Sequence, residues 1–156
     1  MKIGIDPGLS GAIALLNSKY ECLHVEDMPV MALKKGKNQV NAVELARMIE
    51  RWHNLSQEPI IAFVEHVTAM PGQGVSSMFN FGMGYGMVQA VLAVERIPFI
   101  LVRPQEWKKR AGLINAEKDK ARTLAQQLFP SVDLSRKKDI GRADALLIAK
   151  YGEKNN

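Results

Sequence analysis

A chain of 156 residues suits one compact domain, and its 47% hydrophobic and 24% charged residues are ordinary for a globular protein. No apolar run approaches the roughly 20 residues of a membrane span, and the alternation from Lys2 onward reads as a strand and not as a signal peptide. A lone Cys22 excludes an internal disulfide and a thiolate zinc site, and it fits a soluble protein of the reducing cytoplasm. The net charge of +5 is concentrated: residues 103–142 carry 11 basic and 5 acidic side chains, against 8 and 9 in residues 1–102. Such a segment is either the footprint of a polyanion binder or a lysine-rich solvated helix face.

In chain order, Lys2–Asp6 alternates Ile3 and Ile5 with smaller neighbours and stops at Pro7-Gly8, a turn signal. Ala12–Leu16 and Tyr20–Val25 are further strand candidates, spaced for an antiparallel meander. Lys34–Asn38 reads as a polar, basic loop. Asn41 with Glu44 resembles a capping box opening an amphipathic helix through Leu45, Met48, Ile49 and Trp52. Ile60–Val64 is an apolar run ending at Glu65, the pattern of a strand buried on both faces. After a Pro/Gly loop over Met70–Gly74, Ser76–Val94 reads as a helix, in which Gly82, Gly84 and Gly86 suggest a kink or the close approach of another backbone. Phe99–Val102 is the next strand, followed by helices from Pro104 to Lys109, Glu117 to Leu128 and Arg142 to Tyr151. The last two strands are spaced for right-handed crossovers, so the order predicts an α/β fold: a mixed five-stranded sheet with helices on both faces.

Three carboxylates stand out. Asp6 and Glu65 end apolar strands, and Asp144 precedes the apolar run Ala145–Ala149 inside the last helix. Burying a carboxylate is costly unless it is paired or bound to a cation. If the first and fourth strands are neighbours, Asp6 and Glu65 converge at one sheet edge and a crossing helix adds Asp144. Convergent carboxylates suit Mg²⁺, and two such ions about 3.5–4 Å apart serve phosphodiester hydrolysis. Each residue also has a plainer reading: an Asx turn at Asp6, a strand-end ion pair at Glu65, and a pairing of Asp144 with Arg142 or Lys150. His24, His53 and His66 lack partners at zinc spacing, and the alternation turns His66 away from Glu65 if the strand continues.

Gly4-Ile5-Asp6-Pro7-Gly8-Leu9-Ser10-Gly11-Ala12 resembles the opening motif of the RuvC-like Holliday junction resolvases, members of the ribonuclease H-like nucleases. Ala62-Phe63-Val64-Glu65-His66-Val67 resembles their second acidic motif, and Arg142-Ala143-Asp144-Ala145-Leu146-Leu147-Ile148-Ala149 their closing motif. The segment from Val102 to Lys108 is similar to the shorter bacteriophage members. The resemblance runs from residue 3 to about residue 152. It implies a ribonuclease H-like fold and a homodimeric endonuclease that nicks four-way or other branched DNA symmetrically. It implies Mg²⁺ as cofactor, with Mn²⁺ as substitute, and gives catalytic and metal-ligand roles to Asp6, Glu65 and Asp144.

The family places a fourth acidic residue or a histidine three positions before the last aspartate, where this chain has Gly141. Asp139 is the substitute ligand if the helix begins at Gly141 or Arg142, leaving Asp139 in extended chain; otherwise it is a helix cap or an anion opposite Lys137 and Lys138. Lys108 and Lys118 resemble DNA-contacting positions, with Arg103, Lys109, Arg110, Lys120 and Arg122 around them. Met70, Met78 or Phe79 falls where relatives carry a loop that probes the junction centre, although for Phe79 and Phe81 ordinary core is the favoured reading. Gly82 and Gly86 mark a dimer face. Two other functions compete: a ribonuclease H-like nuclease for RNA or RNA–DNA hybrid, and a non-catalytic branched-DNA binder. A small actin-like ATPase needs two such domains and is excluded by length.

Overall fold

The computed structural model describes residues 1–69 and 71–154, apart from the side chains of Lys35 and Lys118. The DNA contact expected at Met70 therefore lies outside the described residues, as does the side chain expected at Lys118. The strands are β1 (Lys2–Asp6), β2 (Ala12–Leu16), β3 (Cys22–Asp27), β4 (Val30–Ala32), β5 (Asn38–Val40), β6 (Ile61–Glu65) and β7 (Phe99–Val102). The helices are α1 (Ala42–Leu55), α2 (Val75–Val94), α3 (Pro104–Arg110), α4 (Lys118–Leu128) and α5 (Ile140–Tyr151), with 3₁₀ turns at Lys34–Gly36 and Lys137–Asp139.

Five strands form one sheet in the order β3-β2-β1-β6-β7. The first three pair antiparallel, and β1–β6 and β6–β7 pair parallel, as the sequence predicts. Several element ends shift by one or two residues, and two differences change the local structure. β3 begins at Cys22 and not Tyr20, because Asn17 Oδ1 accepts the amides of Lys19 and Glu21, both at 2.9 Å, and bends the chain into a tight turn. Tyr20 closes that turn with φ 62°, incompatible with strand pairing. The second difference is that the loop expected over Lys34–Asn38 is the tip of a small hairpin not read from the sequence: β4 pairs with β5, and the Leu33 amide donates to the Lys37 carbonyl at 2.6 Å.

Each face of the sheet carries its own core. Ile3, Ile5, Ala62 and Val64 pack against Leu45, Ile49 and Trp52 of α1 and Val88 and Leu92 of α2. On the other face, Ala14, Leu16 and Phe63 pack against Trp107 of α3, Ala121 and Ala125 of α4, and the buried side of α5. The period-2 alternation of the strands thus sorts side chains into two layers. Gly4 lets α5 lie directly on β1: a Cβ there would sit 2.1 Å from the Ala145 carbonyl oxygen and 2.4 Å from the Ala149 amide. At the N-cap of α1, Asn41 accepts the Glu44 amide at 3.2 Å, while Glu44 itself turns to Arg47 instead of closing the box.

The apolar residues of helix α2 form no single stripe but are spread around it, with Ser76, Ser77, Asn80 and Gln89 among them. Gly84 meets Val40 of the hairpin, where a Cβ would come to 3.0 Å from Cγ2, so the close approach read from the glycines occurs at this one. Gly82 and Gly86 face open space. Phe79 is 71% exposed, which corrects its reading as core, and Phe81 is half-buried. Among the described residues no helix is long and apolar enough to cross a membrane.

Candidate active site

The parallel register brings the first two carboxylates together. Ile5 stands opposite Val64, so Asp6 and Glu65 follow side by side at the same end of β1 and β6. Both share the parity of Gly4 and Phe63, hence the α5 face of the sheet. Desolvation pushes the Asp6 carboxyl up to about 6, and the neighbouring Glu65 charge adds to the rise; the Gly8 amide and Lys108 oppose it. The Asx-type contact read from Asp-Pro-Gly is also present, with the Gly8 amide 3.3 Å from Asp6 Oδ1. The turn and the site thus share one residue.

Asp144 joins from α5. A Cβ on Gly141 would lie 2.3 Å from the Ser10 carbonyl oxygen and 2.9 Å from Gly11 Cα, so glycine is what allows the first turn of α5 to rest on the β1–β2 turn. Asp144, three residues on, lies on the same side of the helix and lines, with Asp6 and Lys108, a cleft of about 1120 Å³. The same packing explains why position 141 carries no ligating side chain. Glu65 lines an adjoining cleft of about 870 Å³, and Ser77 and Phe81 border both. Among the described residues no three carboxylate, imidazole or thiol groups are gathered closely enough to hold a metal ion as they stand.

Asp139 has different surroundings. It sits in a 3₁₀ turn, and α5 begins at Ile140, so the extended stretch through which it was expected to reach a metal does not exist. Its side chain is fully buried. One oxygen accepts from Arg136 Nε at 2.9 Å and Nη2 at 2.6 Å, and the other accepts the Arg136 amide at 2.8 Å. These bonds to the Arg136 guanidinium hold the carboxyl below its usual range. Its partner is Arg136, not Lys137 or Lys138.

Two neighbours of Glu65 escape a reading of the sequence. Trp107 is buried, and its Nε1 donates to Glu65 Oε1 at 2.9 Å. A buried indole N–H needs an acceptor, and this general requirement is the one signal that could have linked the two. His66, expected on the opposite face, lines the same cleft as Glu65, because β6 ends at Glu65 and the alternation ends with it.

The basic residues divide by their partners. Arg103 is exposed at the rim of the second cleft, Lys109 and Lys120 are exposed, and Lys108 lines the first cleft with its ammonium 5.3 Å from the Trp107 ring centroid. Arg110 turns inward and donates to the carbonyls of Tyr151 and Gly152 at 2.5 and 3.2 Å. Arg122 is held by Asp119 and by the carbonyls of Leu134 and Ser135.

No protein-family model and no curated protein matches the chain. Among solved structures it is similar to Thermus thermophilus RuvC in complex with Holliday junction substrate, at 20% identity and TM-score 0.64, over 95% of this chain and 88% of that one. A second Thermus thermophilus RuvC structure matches at 20% identity and TM-score 0.59, covering 95% and 90%. The mixed five-stranded sheet with its flanking helices is therefore the RuvC-like, ribonuclease H-like α/β fold.

Proposed function

We propose that this chain is a Mg²⁺-dependent, structure-specific endodeoxyribonuclease that resolves four-way DNA junctions by paired symmetric nicks and acts on related branched DNA. The observation that carries the reading is the placement of Asp6: desolvated, beside Glu65, and in one cleft with Asp144. A carboxylate pushed up by desolvation and by a second carboxylate, with only Lys108 and the Gly8 amide against the rise, is offset by a cation. The substrate class rests on the fold shared with a RuvC whose structure is in complex with Holliday junction substrate.

Asp6, Glu65 and Asp144 are the residues that would hold the metal. Their donors are all carboxylate oxygens, the chemistry of a hard ion such as Mg²⁺ or Mn²⁺. When bound, such ions lower the pKa of a water and stabilise the leaving oxygen of a phosphodiester. The chain's own side chains do the rest. Trp107 fixes the rotamer of Glu65 through its indole N–H. Lys108 brings positive charge to the cleft where the scissile phosphate lies. Arg103, Lys108, Lys109, Lys118 and Lys120 supply backbone contacts, which confer affinity and salt dependence but little sequence reading. We assign Arg110 to the C-terminus of α5 and Asp139 to the turn before it, because both side chains are already engaged there.

The apolar residues spread around α2, with Gly82 and Gly86 open and Phe79 projecting, fit a homodimer in which this helix packs on its copy. Two sites at a fixed separation then account for symmetric nicks. The test is cleavage of a labelled four-way junction in Mg²⁺, beside linear duplex and RNA–DNA hybrid, with Asp6→Asn as control. Paired nicks in the junction are expected, lost in the variant. Hybrid cleavage alone would move the protein to RNA processing, and junction binding without any cleavage would leave a binding module.

A further inference from the structure

The cleft that holds Asp6 and Asp144 has two walls built by different layers of the fold. One wall comes from the α2 side: the β4–β5 hairpin, docked through Val40 on Gly84, and the first turns of α2 with Ser76, Ser77 and Asn80. The other comes from the α5 side: Lys108, the start of α4 at Glu117, and the 3₁₀ turn before α5. Lysines line both. Lys37 enters from the hairpin, and Lys137 and Lys138 from the turn.

These three lysines, like Lys108, differ from the arginines near the site. Arg136 is bound to Asp139, Arg142 to Asp27 and Arg122 to Asp119, so each of those charges is neutralised within the fold. Lys37, Lys137 and Lys138 are exposed, and among the described residues none has an ion pair or a side-chain hydrogen bond. Lys34, in the same hairpin turn but outside the cleft lining, is likewise exposed and, among the described residues, without an ion pair. Like charges lining a cleft focus a positive potential there and raise the local concentration of anions. At about 1120 Å³ the space is larger than the roughly 300–1,000 Å³ of small-molecule pockets, which favours a polymer over a single phosphate.

We propose that the hairpin and the turn before α5 form a two-walled grip, Lys34 and Lys37 on one side and Lys137 and Lys138 on the other, that seats the phosphate backbone of the DNA strand crossing the cleft. The grip rests on the nuclease reading above but involves none of the residues assigned there to metal or to DNA. It gives the small β4–β5 sheet a function beyond the packing of Val40 on Gly84. It also leaves Asp6 and Asp144 between two basic walls, so a strand is held on both sides of the bond to be cut.

Binding of the Asp6→Asn protein to a labelled four-way junction, measured from 50 to 200 mM salt, tests this against two further variants. Lys34→Ala/Lys37→Ala and Lys137→Ala/Lys138→Ala are introduced separately into that background, and Arg replacements at the same positions restore charge. Each lysine that contacts a phosphate contributes about 0.9 to the slope of log K against log salt, so each double variant is expected to lower the slope by up to about 1.8. Affinity at low salt should fall about 10-fold, and the Arg versions should recover it. Unchanged slopes in both double variants, or a change in only one, would overturn a two-walled grip while leaving the nuclease reading intact. Failure of the Asp6→Asn protein itself to bind branched DNA would remove the nuclease reading and the grip with it.

Discussion

The end of the sheet and the turn before α5 each hold an acidic side chain away from water, Asp6 partly and Asp139 fully, and they settle it in opposite ways. Asp139 is closed off: both oxygens accept from Arg136, and the carboxyl is held below its ordinary range. Asp6 is left open: its neighbour is another carboxylate, and it is pushed up to about 6. A charge neutralised inside the fold stabilises that fold, whereas a desolvated charge beside a like charge is tolerated for what will bind there. Under the proposed function, the contrast separates a structural acid from a functional one even though both stand close to the same cleft.

The largest expected effect tests the open side. Asp6→Asn should lower junction cleavage at least about 10³-fold while leaving junction binding in place. In chelator, where only the Gly8 amide and Lys108 offset the Asp6 charge, the variant should melt no lower than the parent. A lower melting temperature with lost binding would make Asp6 structural and dissolve the contrast. Gly141→Ala comes next, because it breaks the packing that holds the two regions in register. Alanine gains about 1 kcal/mol of helix propensity, but a Cβ at 2.3 Å from the Ser10 carbonyl must displace backbone, costing about 3 kcal/mol. Net destabilisation with reduced cleavage is expected in denaturant and activity assays; a stabilised variant would show that α5 does not need this contact.

How far each region was legible follows from the same distinction. Asp6 and Glu65 could be read because a strand end is marked by an apolar run, and the parallel register then fixes which ends meet. Asp144 could be read from the apolar run of α5 behind it. The Asp139 pairing could not, because it depends on where α5 begins, and helix starts are poorly marked when the preceding residues are Lys and Arg. The Trp107–Glu65 bond joins residues 42 apart, a contact that no local pattern encodes. The β4–β5 hairpin was hidden for a third reason: its strands are three residues each, too short for alternation to register. Phe79 was misjudged because an apolar residue in an apolar helix implies core, whereas the apolar residues of α2 are spread around it and the sheet covers only one side.

Asp139→Asn tests the closed side and should reverse the pattern of Asp6→Asn. Its amide keeps one acceptor oxygen but loses the charge that holds Arg136, so stability should fall by roughly 2 kcal/mol, less than a fully buried pair because Arg136 is partly exposed. Cleavage should stay within about threefold of the parent when assayed below the melting transition. The acid limb adds a sign. A carboxyl held below its unfolded value stabilises the fold above the ordinary carboxylate range and loses that contribution as pH falls through it. The parent should therefore lose stability on acidification more steeply than Asp139→Asn. Equal slopes with cleavage reduced as deeply as in Asp6→Asn would return Asp139 to the metal site.

The smallest effect concerns Trp107, which joins the open site to the α5-side core. Trp107→Phe keeps an aromatic ring in the cavity and removes only the N–H that Glu65 accepts. Because the indole is a positioning group, its loss should appear in how the site takes up metal. The Mg²⁺ concentration for half-maximal cleavage is expected to rise about 10-fold, the usual cost of removing a hydrogen bond to a metal-ligating side chain. Stability should fall by about 1 kcal/mol, from the lost bond and the smaller ring. If stability falls while the Mg²⁺ dependence is unchanged, the indole serves packing alone, and Glu65 is oriented by its strand without help. A shifted Mg²⁺ dependence would tie the buried α5-side core to the carboxylates at the end of the sheet, which is the coupling the Trp107–Glu65 bond describes.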